Sequence, residues 1–174
     1  MKGLAYAGLI LLAGLLLQTA FFPAFAFFGA RPDLVTLLVV LFGLLWGPRS
    51  GAALGFAGGM ALDLLTGYLV GLGALSRAVV GGLAGLAGER FFSENFLVPI
   101  LSVLVGTLLE QALFVLGAWI YGLSGPWNAG FLLAAAATAW YGALLAVPIL
   151  PGILALTRRH GPVLEGQTRL AREE

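Results

Sequence analysis

The chain of 174 residues contains no cysteine and a single histidine, His160. Without thiols and with one imidazole, we expect neither thiolate catalysis nor haem ligation nor a zinc site built from cysteine or histidine. Charge is scarce as well, because Asp, Glu, Lys and Arg make up 10% of the chain, against about 25% in a typical soluble domain. The net charge is +1 and no basic run is interleaved with aromatic residues, so the sequence predicts no nucleic-acid partner.

Signatures of enzymes are missing too. The chain has no G-x-S-x-G nucleophile elbow, no H-E-x-x-H metal motif and no Walker phosphate loop. Carboxylates at the spacing of a hydrolytic pair are also absent. The sequence therefore predicts a protein that is not an enzyme and that uses no cofactor.

Apolar residues are abundant, at 60% of the chain, and the mean hydropathy is +1.02. This composition predicts an all-α integral membrane protein, and apolar runs separated by charge, Gly or Pro predict a six-helix transmembrane bundle. The first run begins after Lys2 and resembles a secretory signal, but it is long enough to span, so we interpret it as a retained helix. A short charged tail follows at 158–174. The predicted spans are approximately 4–27, 33–46, 51–66, 69–88, 96–122 and 129–157.

The second and third predicted helices are short. Their 14 and 16 residues cover about 21 and 24 Å, less than the roughly 30 Å of a hydrocarbon core. They are either short tilted spans or a re-entrant hairpin that turns at 47–51. Because a re-entrant turn would bury Arg49 in the membrane, the sequence favours six spans.

Basic residues are distributed unequally between the two predicted sides of the membrane. Arg31 lies on one side, and Arg77 falls inside a span. This asymmetry predicts that both termini are cytoplasmic, and it holds for a re-entrant hairpin as well. The basic residues on the predicted cytoplasmic side are Lys2, Arg49, Arg90, Arg158, Arg159, Arg169 and Arg172.

Glycines recur every four residues in the third predicted helix, at Gly51, Gly55 and Gly59, and Asp63 continues the same stripe. Small residues let membrane helices approach closely. The stripe is therefore either an internal seam between helices or a groove that receives a helix of another protein. For Asp63 the alternatives are a structural hydrogen bond near the membrane surface and a contact to a partner or ligand. The fourth helix repeats the glycine spacing at Gly81 and Gly85.

Two charged residues fall within predicted spans. Arg77 lies about 12 Å into the fourth span and Glu110 about 21 Å into the fifth, which runs the opposite way, so both lie near the midplane. A charge at that depth is costly unless it is paired or hydrated. We expect an Arg77–Glu110 ion pair, with a polar ligand cavity or a contact to a partner helix as the alternatives.

The segment 31–75 resembles the rod shape-determining protein MreD family. The resemblance rests on Pro32-Asp33-Leu34, on Gly47-Pro48-Arg49 followed by Gly51, on Asp63-Leu64-Leu65, and on the Gly71-Leu72-Gly73 turn. It implies a non-enzymatic subunit of the elongation machinery, or rod complex, in the bacterial inner membrane. It also implies a partner, MreC, and links to the MreB cytoskeleton and to the RodA–PBP2 peptidoglycan synthase.

The family is also distantly similar to the S components of energy-coupling-factor transporters. That similarity implies an S-component-like fold and an alternative function, a vitamin-type binding subunit of a transporter. The scaffold hypothesis predicts an open glycine groove and a dry, ion-paired interior. The transporter hypothesis predicts an outward-opening cavity lined by Arg77 and Glu110.

The motif residues have structural roles as their first interpretation. Pro32 and Asp33 are expected to start and cap the second helix. The residues Gly47, Pro48 and Arg49 are expected to form the inner turn and to anchor the topology. Direct contact with a partner is the alternative for each of them.

Overall fold

The computed structural model describes residues 2–20, 31–67, 69–91, 97–123 and 129–160. This part of the chain contains six α-helices and no β-strand, so the all-α prediction is confirmed. Residues 161–174, which form most of the predicted tail, lie outside the described residues, as do residues 21–27 of the first predicted span. The helices are α1 Lys2–Ala20, α2 Leu34–Trp46, α3 Pro48–Thr66, α4 Leu72–Phe91, α5 Leu97–Ile120 and α6 Ala129–His160.

Helix α2 lies at the centre of the bundle. All of its 13 residues are buried, and it contacts α1, α3, α4, α5 and α6. Its sequence, LVTLLVVLFGLLW, has no polar face, and a helix that is apolar on every side is buried on every side. At 1.5 Å per residue α2 is about 20 Å long, which is less than the roughly 30 Å of a hydrocarbon core.

A one-residue connection joins α2 to α3. Gly47 adopts φ +84°, a left-handed value that glycine takes at little cost, and its N–H donates to the Gly43 carbonyl. Pro48 then occupies the first position of α3, where its fixed φ and missing N–H suit a helix start. The prediction that the third helix is short is therefore wrong, because α3 begins at Pro48 and has 19 residues.

Within the part of the chain that the structure describes, two helices are long and apolar enough to cross a membrane, Leu97–Ile120 and Ala129–Leu156. Two further apolar stretches, Ala5–Ala20 and Leu34–Trp46, are shorter. The six-helix count agrees with the prediction for the described residues, while six complete membrane crossings stay a prediction.

Candidate functional site

The glycine stripe of α3 packs against the backbone of α4. A Cβ added at Gly51 would collide with the carbonyl of Gly81, and one added at Gly55 would collide with the carbonyl of Arg77. A Cβ at Gly59 would lie 2.5 Å from the Cα of Ala74. We call this contact the α3–α4 seam.

Glycines of α4 make the reciprocal contacts. Gly81 lies against the backbone of Gly51, and Gly85 lies against Gly47 and Pro48. Of the two interpretations of the stripe, the structure shows an internal seam. The scaffold hypothesis predicted an open groove lined by these glycines. That prediction is wrong, because α4 itself fills the space beside them.

Asp63 is buried at the end of the seam and caps α4. Its Oδ2 accepts hydrogen bonds from the N–H of Gly71, at 2.9 Å, and from the N–H of Ala74, at 3.1 Å. Ala74 lies in the first turn of α4 and Gly71 directly precedes that helix, at an end where a helix leaves its donors unsatisfied and favours a negative charge. Gly73 has no side chain, which leaves room for the carboxylate of Asp63 and the guanidinium of Arg77.

Arg77 joins three helices through its guanidinium. Its Nη2 lies 3.0 Å from Oδ2 of Asp33 and 3.3 Å from Oε1 of Glu110. Its Nε donates to Oγ1 of Thr36 at 3.1 Å. Arg77 and Glu110 are both buried, with 6% and 4% of their surfaces exposed. The pairing ties α4 to the start of α2 and to the middle of α5.

Asp33 serves both as a helix cap and as an ion-pair partner. Its Oδ1 accepts from the Thr36 N–H at 2.9 Å, as an N-cap does. Its Oδ2 accepts from the Thr36 hydroxyl at 2.8 Å and also faces Arg77. The sequence pattern predicted the cap but not the second role, and it missed Thr36 entirely.

The charged side chains of this cluster pair with one another or cap helices. Arg77 is shared between two carboxylates, and the helix caps engage Asp33 and Asp63. Among the described residues, no group of three or more His, Cys, Asp or Glu side chains is placed to hold a metal ion. The arrangement can fasten helices together.

A second polar link joins α5 to α6. The Nε2 of Gln111 donates to the backbone carbonyl of Ala135 at 3.2 Å. One turn earlier on α5, the hydroxyl of Thr107 is buried and has no hydrogen-bond partner in the described part of the chain. No sequence pattern pointed to Thr107.

An open cavity of about 450 Å³ lies between α4 and α5. We call it the α4–α5 groove. Its walls are residues of α4 between Val80 and Ala87 and residues of α5 between Val98 and Leu109, all apolar except Ser102. Neither Arg77 nor Glu110 lines it, so it is not the charged cavity that the transporter hypothesis predicted.

A comparison with protein-family models matches residues 3–160 to the family described as rod shape-determining protein MreD. The chain belongs to the MreD family. Members of the MreD family are membrane proteins of the bacterial inner membrane that determine rod shape, and the family is not a known enzyme family. Neither a curated protein nor a solved structure matches the chain. The S-component-like fold therefore stays a prediction.

The residues that carry the MreD resemblance lie at helix ends. Pro32 is buried just before the cap of α2, Gly47 forms the α2–α3 connection, and Pro48 begins α3. Arg49 is exposed at the start of α3, as a residue that anchors the topology would be. The Gly71 turn supplies one of the two N–H groups that Asp63 binds.

Proposed function

We propose that this chain is a non-enzymatic scaffold subunit of the rod complex that binds the single membrane helix of MreC. Through MreC it would help to hold the RodA–PBP2 synthase near the MreB cytoskeleton. Membership of the MreD family supports the role in cell shape. The internal pairing of the charged cluster supports a scaffold rather than a ligand-binding subunit, because it leaves the outer apolar faces as the surface for partners.

The outer face of α6 is the surface that fits a partner helix best. Leu133, Trp140 and Leu144 are 65%, 70% and 69% exposed, and their spacing of seven and four residues places them on one side of the helix. The opposite side of α6 packs against the bundle through a row of small buried residues. These are Ala135, Ala139, Ala143 and Ala146.

The depth of Trp140 in the membrane is the main observation that supports this proposal. It lies 11 residues into α6, or about 16 Å, which is near the middle of a hydrocarbon core of about 30 Å. Tryptophan is normally enriched at the two membrane–water interfaces rather than at mid-depth. Tryptophan is also enriched among the residues that dominate the energy of protein interfaces. An exposed Trp140 at this depth therefore supports a helix of another protein packing on this face.

The test is the affinity for full-length MreC after reconstitution of both proteins in lipid nanodiscs. We expect Trp140→Ala to weaken binding about thirtyfold, because truncating a central aromatic contact typically costs 2 kcal/mol or more. Trp119→Ala is the matched control, since Trp119 is equally exposed, at 67%, but lies at the end of α5. We expect the Trp119 variant to bind MreC like the unmodified chain.

Two results would count against the proposal. If the unmodified chain recovers no MreC from native membranes, the scaffold function fails. If MreC binds normally and Trp140→Ala has no effect, the function stands but the binding face is wrong.

A further inference from the structure

We propose that the α4–α5 groove is a binding site for one anionic phospholipid, with an acyl chain along the groove and the phosphate at Arg90. The site is separate from the α6 face proposed for MreC, and it does not depend on that assignment.

The groove is elongated. Its α5 wall, residues 98–109, is about 16 Å long, and its volume is about 450 Å³. A single hydrocarbon chain lying along the two helices is an occupant of matching shape.

The lining favours a hydrocarbon. Leu83, Leu101 and Val105 form the rims of the groove, and their exposed fractions are 47%, 57% and 59%. Ala87, on the α4 wall, has a small side chain that leaves the groove open. Among the residues that the structure describes, no charged side chain lines the groove. In a membrane protein the surrounding hydrocarbon is the acyl chains of the bilayer, so the groove would be filled by lipid.

The charges at the end of the groove select the headgroup. Arg90 is exposed in the last turn of α4, three residues after Ala87 and hence on the same side of the helix. Arg49 is also exposed. It lies at the same end of the bundle as Arg90, since the start of α3 contacts Gly85 of α4. The carboxylate of Glu89 lies beside Gly47 at the α2–α3 connection. Guanidinium groups bind phosphate through paired hydrogen bonds, and a basic end of this kind suits the anionic leaflet.

The first experiment measures which lipid stays bound and where it lies. The full chain is reconstituted with phosphatidylglycerol that carries a photoreactive group in one acyl chain, and with the phosphatidylcholine equivalent. After irradiation, mass spectrometry maps the adducts. We expect adducts from phosphatidylglycerol to concentrate at 80–87 and 98–109, with at least tenfold fewer from phosphatidylcholine. Adducts spread evenly over the exposed residues of α1 and α6 would overturn the proposal.

The second experiment uses substitutions. Ala87→Phe fills the groove, and we expect native mass spectrometry to show at least a tenfold loss of retained phosphatidylglycerol. Ala13→Phe, at an exposed position of α1, adds the same ring outside the groove and should retain the lipid. Arg90→Gln should remove the preference for phosphatidylglycerol over phosphatidylcholine, whereas Arg31→Gln at the other end should preserve it.

MreC supplies a further check on the same site. We expect MreC binding to be unchanged in Ala87→Phe and the lipid to stay bound when MreC is added. Release of the lipid by MreC would show that the groove belongs to the partner helix, and it would overturn the lipid site without affecting the scaffold function.

Discussion

Arg77 is the cation around which the buried charges of this bundle are arranged. One nitrogen, Nη2, contacts Asp33 of the α2 cap and Glu110 of α5, and the guanidinium also lies beside the carboxylate of Asp63. A buried charge left without its partner is strongly destabilising, typically by about 3–5 kcal/mol. The two carboxylates are therefore tolerated at this depth because Arg77 is present.

We predict that Arg77→Gln lowers the free energy of unfolding in detergent by about 3–5 kcal/mol. Glu110→Gln should cost less, because Arg77 keeps Asp33 as its partner at 3.0 Å. Arg49→Gln is the control, since Arg49 is exposed and surface substitutions usually change stability by no more than about 0.5 kcal/mol. Equal losses for Arg77→Gln and Arg49→Gln would contradict the structural role of the cluster.

At the scale of helices, the α3–α4 seam decides how closely two elements approach. Backbone lies against backbone at Gly51, Gly55 and Gly59, so an added methyl group has no space. Overpacking of this kind typically costs about 1–3 kcal/mol.

We predict that Gly55→Ala lowers the unfolding free energy by about 1–3 kcal/mol. The control is Gly8→Ala in α1, where an added Cβ meets nothing within 4 Å. Alanine at that position should stabilise the helix by about 0.5–1 kcal/mol. The measurement is equilibrium unfolding by a denaturing detergent. MreC binding by the folded fraction should be unchanged in both variants. Loss of MreC binding by folded Gly55→Ala would reopen a role for the seam in partner recognition.

Helix positions were more predictable than helix neighbours. The apolar runs located α2, α5 and α6 to within a few residues, since a hydrophobic run reports directly on membrane burial. The number of residues from each predicted span's start also placed Arg77 and Glu110 at similar depths, on helices that are consecutive in the chain. It did not reveal that Asp33, 44 residues before Arg77, reaches the same guanidinium, because the sequence does not state which helices surround α2. The available signal was that α2 is apolar on every side, which indicates that other helices surround it.

The start of α3 shows a different limit. The sequence G-P-R-S-G is typical of a turn, because Gly and Pro interrupt regular structure. In the structure a single residue, Gly47, makes the turn, and Pro48 already belongs to the helix. Whether proline ends one helix or begins the next depends on the φ of the preceding residue, which local composition does not specify.

At the scale of the whole molecule, α2 forms a buried axis, and the other helices cover it. Helices α3 and α4 are fastened to it by glycine contacts and by the Arg77 cluster, whereas α5 and α6 carry large exposed apolar surfaces. The two proposed ligands use different parts of that surface, the lipid between α4 and α5 and the MreC helix on the outside of α6. A scaffold of this kind can hold both at once.

The orientation of the molecule is a prediction from its basic residues. It can be tested directly, because the chain has no cysteine and a single introduced thiol can be labelled without background. Arg31 and Arg49 are both exposed and lie on either side of α2. The excess of basic residues on the side of Arg49 predicts that this side is cytoplasmic.

We predict that Arg31→Cys reacts with a membrane-impermeant maleimide in spheroplasts, whereas Arg49→Cys reacts only after the membrane is permeabilised. Leu123→Cys, at the exposed end of α5, is the control for the outer side and should react like Arg31→Cys. If Arg31→Cys is labelled from outside and Arg49→Cys does not react even after permeabilisation, α2 and α3 form a re-entrant hairpin with its turn inside the membrane rather than two spans. Labelling of Arg49→Cys alone would mean that the molecule is inverted. In an inverted molecule, Arg90 would face the outer leaflet. With a re-entrant hairpin, Arg49 would no longer lie at the same membrane surface as Arg90. The same labelling experiment therefore also tests the leaflet from which the proposed lipid is drawn.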